Sequence, residues 1–361
     1  MTPLLSIIIP TKNRGALIEQ LIKHIDGTVP DCVEYVIHDN SITPVALEIQ
    51  QISRIRYFHD SQSLSVGGNF SKALSKASGH FVAFMGDDDE ANHQELVCVL
   101  SKPSMLDYDT VVSPVYDLIF HEGSGTRWTG KFSRMTKIQP NAVGRAILWC
   151  IHHFSKLTCK FSYFWLLSPD LWAVPRGYFG IFKRDLLSPV KSNQMVREIY
   201  LSPDAYLIGR LSVARHTLYV SEQLFTPGTS SMSTSNLSNA RQHIGTISSQ
   251  RHFDGADIKA LPDGIPDSFL PEVIWTASYL SAIGKKSIKP LHLATIEWFI
   301  RMKYGIKMYL SSDGEYRKPC STVWAVGALL GVLSFVVNRV IVVALIAARY
   351  KFSTRQNCNG R

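Results

Sequence analysis

The segment Phe81-Val82-Ala83-Phe84-Met85-Gly86-Asp87-Asp88-Asp89 reads as a buried strand that ends abruptly in three consecutive carboxylates. In an open parallel sheet, ligands bind beyond the carboxyl ends of the strands. Acids placed there can hold a divalent cation that bridges a diphosphate and neutralises charge on a departing group. An Asp-rich turn or a helix cap would explain the same triplet without any chemistry. Two further apolar runs end in polar residues, Pro10-Thr11-Lys12-Asn13-Arg14 and Asp39-Asn40-Ser41. An Asp at the second of these places could accept hydrogen bonds from a base or ribose, and Thr11 could reach a base. Each alone is ordinary loop chemistry, but three polar termini on one sheet edge point to a site.

Such a site needs strands that lie side by side, and the first hundred residues alternate strand and helix signals. Ser6 to Ile9 is a β-branched run, followed by Leu17, Ile18, Leu21, Ile22 and Ile25 at helical spacing. Val33 to His38 reads as a second strand and Ile55 to Phe58 as a short third. Phe70, Ala73, Leu74 and Ala77 mark a helix before the strand Phe81 to Met85. Strands interleaved with helices predict an α/β fold with a mostly parallel sheet. After Thr110 to Val115 the pattern loosens. Tyr116 to Arg134 reads as a loop or hairpin insertion, Ala142 to Phe154 as helical, and Phe161 to Leu167 and Tyr178 to Phe182 as aromatic-rich segments. Phe225 to Gln242 reads as a mobile loop, with helical character from Pro271 onward.

Composition bounds the answer without choosing it. The 361 residues, 45% apolar, suffice for a large α/β domain and argue against disorder. A formal net charge of +9 suits an anionic partner such as nucleic acid, anionic lipid or a phosphorylated substrate. No basic helix, zinc knuckle or aromatic RNA-binding motif accompanies that charge, so nucleic acid is not expected. The six cysteines lack C-x-x-C spacing, which fits a reducing cytosol. The start of the chain has no basic leader or small-residue cleavage site, which predicts no signal peptide and a catalytic part in the cytoplasm.

Ser6 to Arg14, Val36 to Ser41 and Gly79 to Asp89 together resemble the nucleotide-binding half of family 2 glycosyltransferases, among them bacterial O-antigen and surface-polysaccharide sugar transferases. The family pattern opens with strand-Pro-Thr-Tyr-Asn-Arg. It places an Asp pair or Asp-Asn after the second strand and a D-x-D motif after an Ala-x-Gly-aromatic strand. The counterparts here are Pro10 to Arg14, Asp39-Asn40, and Ala77-Ser78-Gly79 leading to Asp87-Asp88-Asp89. Lys12 replaces the frequent Tyr, which removes one stacking contact to the base. Gly86 stands where many members carry Asp, so the register of the motif is open by one residue.

The resemblance implies a GT-A type fold, with a Rossmann-like, mostly parallel sheet flanked by helices. It implies inverting transfer from a nucleotide-sugar donor with Mg²⁺ or Mn²⁺ held by Asp87 and Asp89. Donor contacts would come from Pro10, Thr11, Asn13, Arg14, Asp39, Asn40, Asp87 and Asp88. Gly67-Gly68-Asn69-Phe70 and Lys72 resemble a segment of those members that run into a Gly-Asp-Asp-Asp ending, which adds Asn69 and Lys72 to the donor contacts. A sugar nucleotidyltransferase is the nearest enzymatic rival, but Thr11 to Gly15 lacks the glycine-rich basic loop such enzymes carry.

Inverting transfer needs a carboxylate to take the acceptor's proton. In similar enzymes it is an Asp at the start of a helix, commonly within a Glu-Asp pair. Leu201-Ser202-Pro203-Asp204-Ala205-Tyr206-Leu207 fits with Pro203 in the Glu place, so Asp204 is the candidate base. A plain helix-start acid beside a proline is the competing reading. Gly177 to Arg184 resembles the family's strand under the acceptor site, although its aromatics would serve equally in a core. No Q-x-x-R-W motif follows Asp204, which favours single addition over processive synthesis. No H-E-x-x-H pair occurs among the twelve histidines, and His152-His153 would point to different faces.

From Val323 to Ala348 the chain is almost wholly apolar, interrupted by Ser334 and Asn338-Arg339 and flanked on both sides by basic residues. An Arg at a bilayer centre costs about 2.5 to 3.5 kcal/mol on insertion scales. A re-entrant or interfacial segment on the cytoplasmic face of the inner membrane is therefore expected, with a single span or a buried helix as alternatives. Leu293 to Leu310 has the pattern of a membrane-surface helix. The expected organisation is a nucleotide-sugar-binding half at 1–115, an acceptor-binding half at 116–230 and a helical region at 231–361 carrying the segment 323–348. The expected acceptor is a saccharide on a polyprenyl diphosphate. A non-enzymatic protein binding anionic lipid or nucleic acid remains the alternative class.

Overall fold

The computed structural model describes residues 2–45, 54–113, 115, 117–121, 133–136, 175–187, 201–220, 222–230, 246–250, 253, 261–265, 267 and 269–284. In chain order the elements are β1 (Leu5–Thr11), α1 (Gly15–Ile25), β2 (Val33–Asp39), β3 (Ile55–His59), α2 (Val66–Ser75), β4 (Phe81–Phe84), β5 (Glu90–Ala91) and α3 (His93–Leu100). They continue with β6 (Thr110–Val112), β7 (Asp117–Phe120), β8 (Ser133–Thr136), β9 (Gly180–Lys183), α4 (Pro203–Leu211), β10 (Thr217–Tyr219), β11 (Phe225–Thr226), β12 (Gly228–Thr229) and α5 (Pro271–Ala282).

A seven-stranded sheet runs in the order β10-β6-β9-β4-β1-β2-β3, with every neighbouring pair parallel except those involving β9. The mostly parallel α/β sheet expected from the sequence is thus present. What the sequence pattern did not reveal is β9, which lies antiparallel between β4 and β6. Apolar periodicity reports which faces are buried, not strand direction. The segment around 116–134 contains an antiparallel pair, β7 with β8, as a hairpin insertion requires.

The strands read as continuous apolar runs because both faces of the sheet are covered. Ile7, Ile9, Phe81 and Ala83 point to the side where Ile18, Leu21, Ile22 and Ile25 of α1 and Leu96 and Val99 of α3 pack. Ile8, Val82 and Phe84 point to the other, against Phe70, Ala73 and Leu74 of α2 and Leu207 and Leu211 of α4. Each of the larger side chains contributes about 1.5–3 kcal/mol by leaving water, so register is firmly specified. The register places Thr11 beside Asp39 and Ile8 beside Phe84. The polar ends of β1, β2 and β4 therefore share one edge.

At the opposite edge, Ser6 Oγ donates to Glu34 Oε1 at 2.6 Å, and Glu34 also accepts from the Ser78 amide at 2.8 Å. The Gly79 amide donates to Ser6 Oγ at 2.7 Å. The Ala77-Ser78-Gly79 motif thus anchors the start of β4. Among the described residues no helix is long and apolar enough to cross a membrane. The expected helix 142–154, the aromatic segment 161–167, the loop stretch 231–242, the helix 293–310 and the apolar tail 323–348 lie outside the described residues, as do Arg127-Trp128 and His152-His153.

Candidate active site

The chain leaves β1 through Asn13, whose φ of 58° is a left-handed value that Asn tolerates better than most residues. This turn brings Arg14 back over the end of β4. The Arg14 guanidinium lies 2.6 Å from Asp87 Oδ1 and 2.8 Å from Asp88 Oδ2. Thr11 Oγ1 donates to Asp87 Oδ2 at 2.6 Å. Asp87, Asp88 and Asp89 are all buried. Desolvation pushes the Asp87 carboxyl up to about 6 although Arg14 pulls it down.

Asp89 is used differently. Its Oδ2 accepts from the Gly86 amide at 2.6 Å and its Oδ1 from the Gly228 amide at 2.7 Å. Burial, and then the neighbouring Asp88 charge, hold its carboxyl well above the ordinary range, while those two amides oppose the shift. Asp89 thus closes the turn on itself and ties it to β12. Gly86 leaves room for that closure, because a Cβ there would lie 2.8 Å from Asp89 Oδ2 and 2.9 Å from Asp88 Oδ1 and displace those carboxylates. The aspartate that many family members carry at this place would put a third carboxylate into the same space.

A strap formed by β11 and β12 crosses the turn. β11 pairs with β5 immediately after the acids, and the Arg14 guanidinium donates to Ser230 Oγ. His121 Nε2 donates to the Asp88 carbonyl at 2.8 Å, which fixes its tautomer. Gly228, Ser230 and His121 did not stand out in the sequence. His121 and Gly228 reach the acids from 33 and 139 residues away along the chain, and Ser230 reaches Arg14 from 216, and no local pattern signals such contacts.

At the end of β2, Asp39 Oδ2 accepts from Tyr57 Oη at 2.6 Å, and Oδ1 accepts from the Ser41 amide at 2.9 Å and from the Ser41 hydroxyl. Ser41 Oγ also accepts from the Asn13 amide at 2.6 Å, coupling the two loops. Asn40 donates to the carbonyls of Asp60 and Gln62 and accepts from the Leu64 amide, so its amide group organises the loop beyond β3. Asn69 Nδ2 donates to the Thr11 carbonyl at 2.9 Å, leaving its Oδ1 to accept from His38 Nδ1 at 2.7 Å. Burial lowers the pKa of His38 and favours the neutral ring. Lys72 pairs with Asp60, and Lys12 donates to Ser63 Oγ and the Leu64 carbonyl. Pro10 is the penultimate residue of β1, opposite His38. All the donor-side residues expected from the sequence therefore gather at one edge, with Asp39, Asn40, Asn69 and Lys72 bonded to the protein itself. Tyr57 escaped the sequence reading because only the β2–β3 register places it beside Asp39.

On the other side of β4, the Phe84 amide donates to the Gly177 carbonyl at 3.0 Å, and Phe84 forms a parallel bridge with Tyr178. A Cβ on Gly177 would lie 2.1 Å from Leu207 Cδ1, so the segment presses directly on α4. Asp204 sits in the first turn of α4 behind Pro203, as the sequence predicts. The residue is exposed as a whole, yet desolvation by the surrounding protein raises its carboxyl to about 6, with Arg176 pulling the other way. A carboxylate with a raised pKa is suited to accept a proton near neutrality.

Residues 6–164 match the family described as glycosyl transferase family 2. A stretch of 106 residues is 35% identical to GalNAc(5)-diNAcBac-PP-undecaprenol beta-1,3-glucosyltransferase of Campylobacter jejuni, covering 28% of this chain and 34% of that protein. The chain thus spans about a third of the length of that relative. Among solved structures, S. aureus TarS 1-349 in complex with UDP-GlcNAc aligns with a TM-score of 0.41 and 16% identity, over 82% of this chain and 80% of that one. The same protein in complex with UDP aligns with a TM-score of 0.39 and 14% identity, over 84% and 72%. The strand ends and the acid turn lie within residues 6–164, the part of the chain that matches glycosyl transferase family 2.

Proposed function

We propose that the chain is an inverting glycosyltransferase that moves one sugar from a nucleotide-sugar donor to a lipid-linked saccharide in surface-polysaccharide synthesis. The observation that carries this reading is the convergence of Thr11, Arg14, Asp87 and Asp88 at the ends of β1 and β4, beside Asp39, within the family segment. The Campylobacter relative, whose name describes a polyprenyl-diphosphate-linked glycan, supports a lipid-linked acceptor.

In this reading Asp39 and the loop beyond it take the nucleoside, and Arg14 meets the diphosphate. The acceptor hydroxyl attacks the anomeric carbon as the bond to the diphosphate breaks, and Asp204 accepts the proton. The family's Mg²⁺ or Mn²⁺ fits Asp87 and Asp88 better than Asp89. Among the described residues Asp87 Oδ1 accepts no hydrogen bond and is met by the Arg14 guanidinium alone, and Asp88 Oδ2 meets the same guanidinium. Both oxygens of Asp89 are already taken by amides. When bound, the cation would neutralise charge on the departing nucleoside diphosphate. The apolar stretch 323–348 and the net charge of +9 support attachment to the cytoplasmic face of the inner membrane.

The test is donor hydrolysis and transfer across UDP-, dTDP-, GDP- and CDP-sugars, with and without Mn²⁺, for the wild type and Asp88→Asn. Metal-dependent release of one nucleoside diphosphate, lost in the variant, is expected. Silence across the panel together with no nucleotide binding would overturn the reading.

A further inference from the structure

We propose that Tyr178 contacts the transferring sugar, its phenol hydroxyl donating a hydrogen bond into the gap between the acid turn and Asp204. This rests on the glycosyl-transfer reading and adds a residue to it. Three observations place the ring there. Tyr178 is bridged to Phe84, three residues before Asp87. Its ring packs 5.8 Å from Phe70 and 6.5 Å from Phe84, centroid to centroid. The neighbouring Gly177 presses on Leu207, one turn along α4 from Asp204. One short segment therefore touches both the strand that delivers the acids and the helix that delivers the base.

Phe179 has a φ of 60°, a left-handed value that is strained for a bulky residue and persists only where surrounding packing enforces it. It sends two consecutive aromatics to opposite clusters, Phe179 toward α1 and α3 and Tyr178 toward α2 and α4. Tyr178 itself is half-buried, its ring packed against the cluster of α2 and α4. Burial and the fields of Asp204, Asp89, Asp87 and Asp88 raise its pKa, so the phenol stays protonated as a donor. A donor placed between the group that holds the diphosphate and the group that deprotonates the acceptor faces the sugar in flight.

Tyr178→Phe keeps the ring and removes only the hydroxyl. Equilibrium binding on the full chain is measured with the nucleoside diphosphate that the donor panel identifies and with its nucleotide sugar, alongside the transfer rate and thermal midpoint. The expected result is unchanged nucleoside diphosphate binding and midpoint, with nucleotide-sugar binding and transfer each weakened about fivefold to tenfold. Wild-type behaviour in both would overturn the assignment. Equal weakening of both ligands with a lowered midpoint would make Tyr178 a packing residue and also overturn it. A wild type that neither binds nor turns over any donor would reject the transferase reading itself, and the role of Tyr178 with it.

Discussion

Arg14 bridges Asp87 and Asp88, at 2.6 Å and 2.8 Å, and its side chain is 18% exposed while that of Asp87 is 2%. Two carboxylates this close are held together by one guanidinium. Removing the cation from a buried pair is expected to cost about 3–5 kcal/mol, because the partners are left uncompensated. Arg14→Gln should therefore lower the thermal midpoint. If Asp87 and Asp88 take a divalent cation, Mn²⁺ should restore part of the loss in the variant and change the wild type less. Thermal unfolding with and without Mn²⁺ checks both points.

Gly228 approaches the acid turn so closely that a Cβ would lie 1.6 Å from the Asp88 carbonyl oxygen. Both atoms are held by backbone, so the strap must move. Gly228→Ala is expected to break the bond from Gly228 to Asp89 and displace the turn. Misplacement by an ångström at a reacting centre can cost on the order of a hundredfold in rate. The measurement is kcat/KM, with circular dichroism confirming an intact sheet.

The Asp204 carboxyl, pushed up to about 6, sets an acid limb for transfer. A general base works only when deprotonated, so the rate should be high above pH 6 and fall about tenfold per unit well below it. Asp204→Asn should abolish transfer at every pH while nucleotide binding persists. A flat pH profile from 5 to 8, or substantial turnover in the variant, would reject this role.

Tyr57 donates to Asp39 at 2.6 Å and accepts from the Val45 amide at 2.9 Å. Tyr57→Phe deletes both bonds and leaves one oxygen of a buried carboxylate without its donor. Since a hydrogen bond to a charged group is worth about 1.5–3 kcal/mol, nucleoside diphosphate affinity should drop roughly tenfold or more. Titration calorimetry against the nucleotide identified by the donor panel measures this.

Much of this protein was legible in the order of its residues. The apolar runs 6–9, 33–38 and 81–85 and the helical spacing of Ile18, Leu21, Ile22 and Ile25 specify a sheet covered on both faces, because burial depends on a period that sequence displays directly. The polar residues that end each run, Thr11, Asp39 and Asp87, follow from that order, since parallel strands present their carboxyl ends on one edge. The position of Asp204 in the first turn of a helix behind Pro203 was readable for the same local reason.

Only the tertiary structure decided how the acids divide their work. That Asp89 binds two amides while Asp87 and Asp88 face Arg14 depends on Gly228, Ser230 and the left-handed turn at Asn13. The antiparallel insertion of β9, the pairing of Tyr57 with Asp39 and the placement of Tyr178 beside Phe84 likewise depend on contacts between distant segments. Local composition carries the free energy of burial and capping. Which distant partner satisfies a buried carboxylate is settled when the sheet closes and brings those partners within hydrogen-bonding reach.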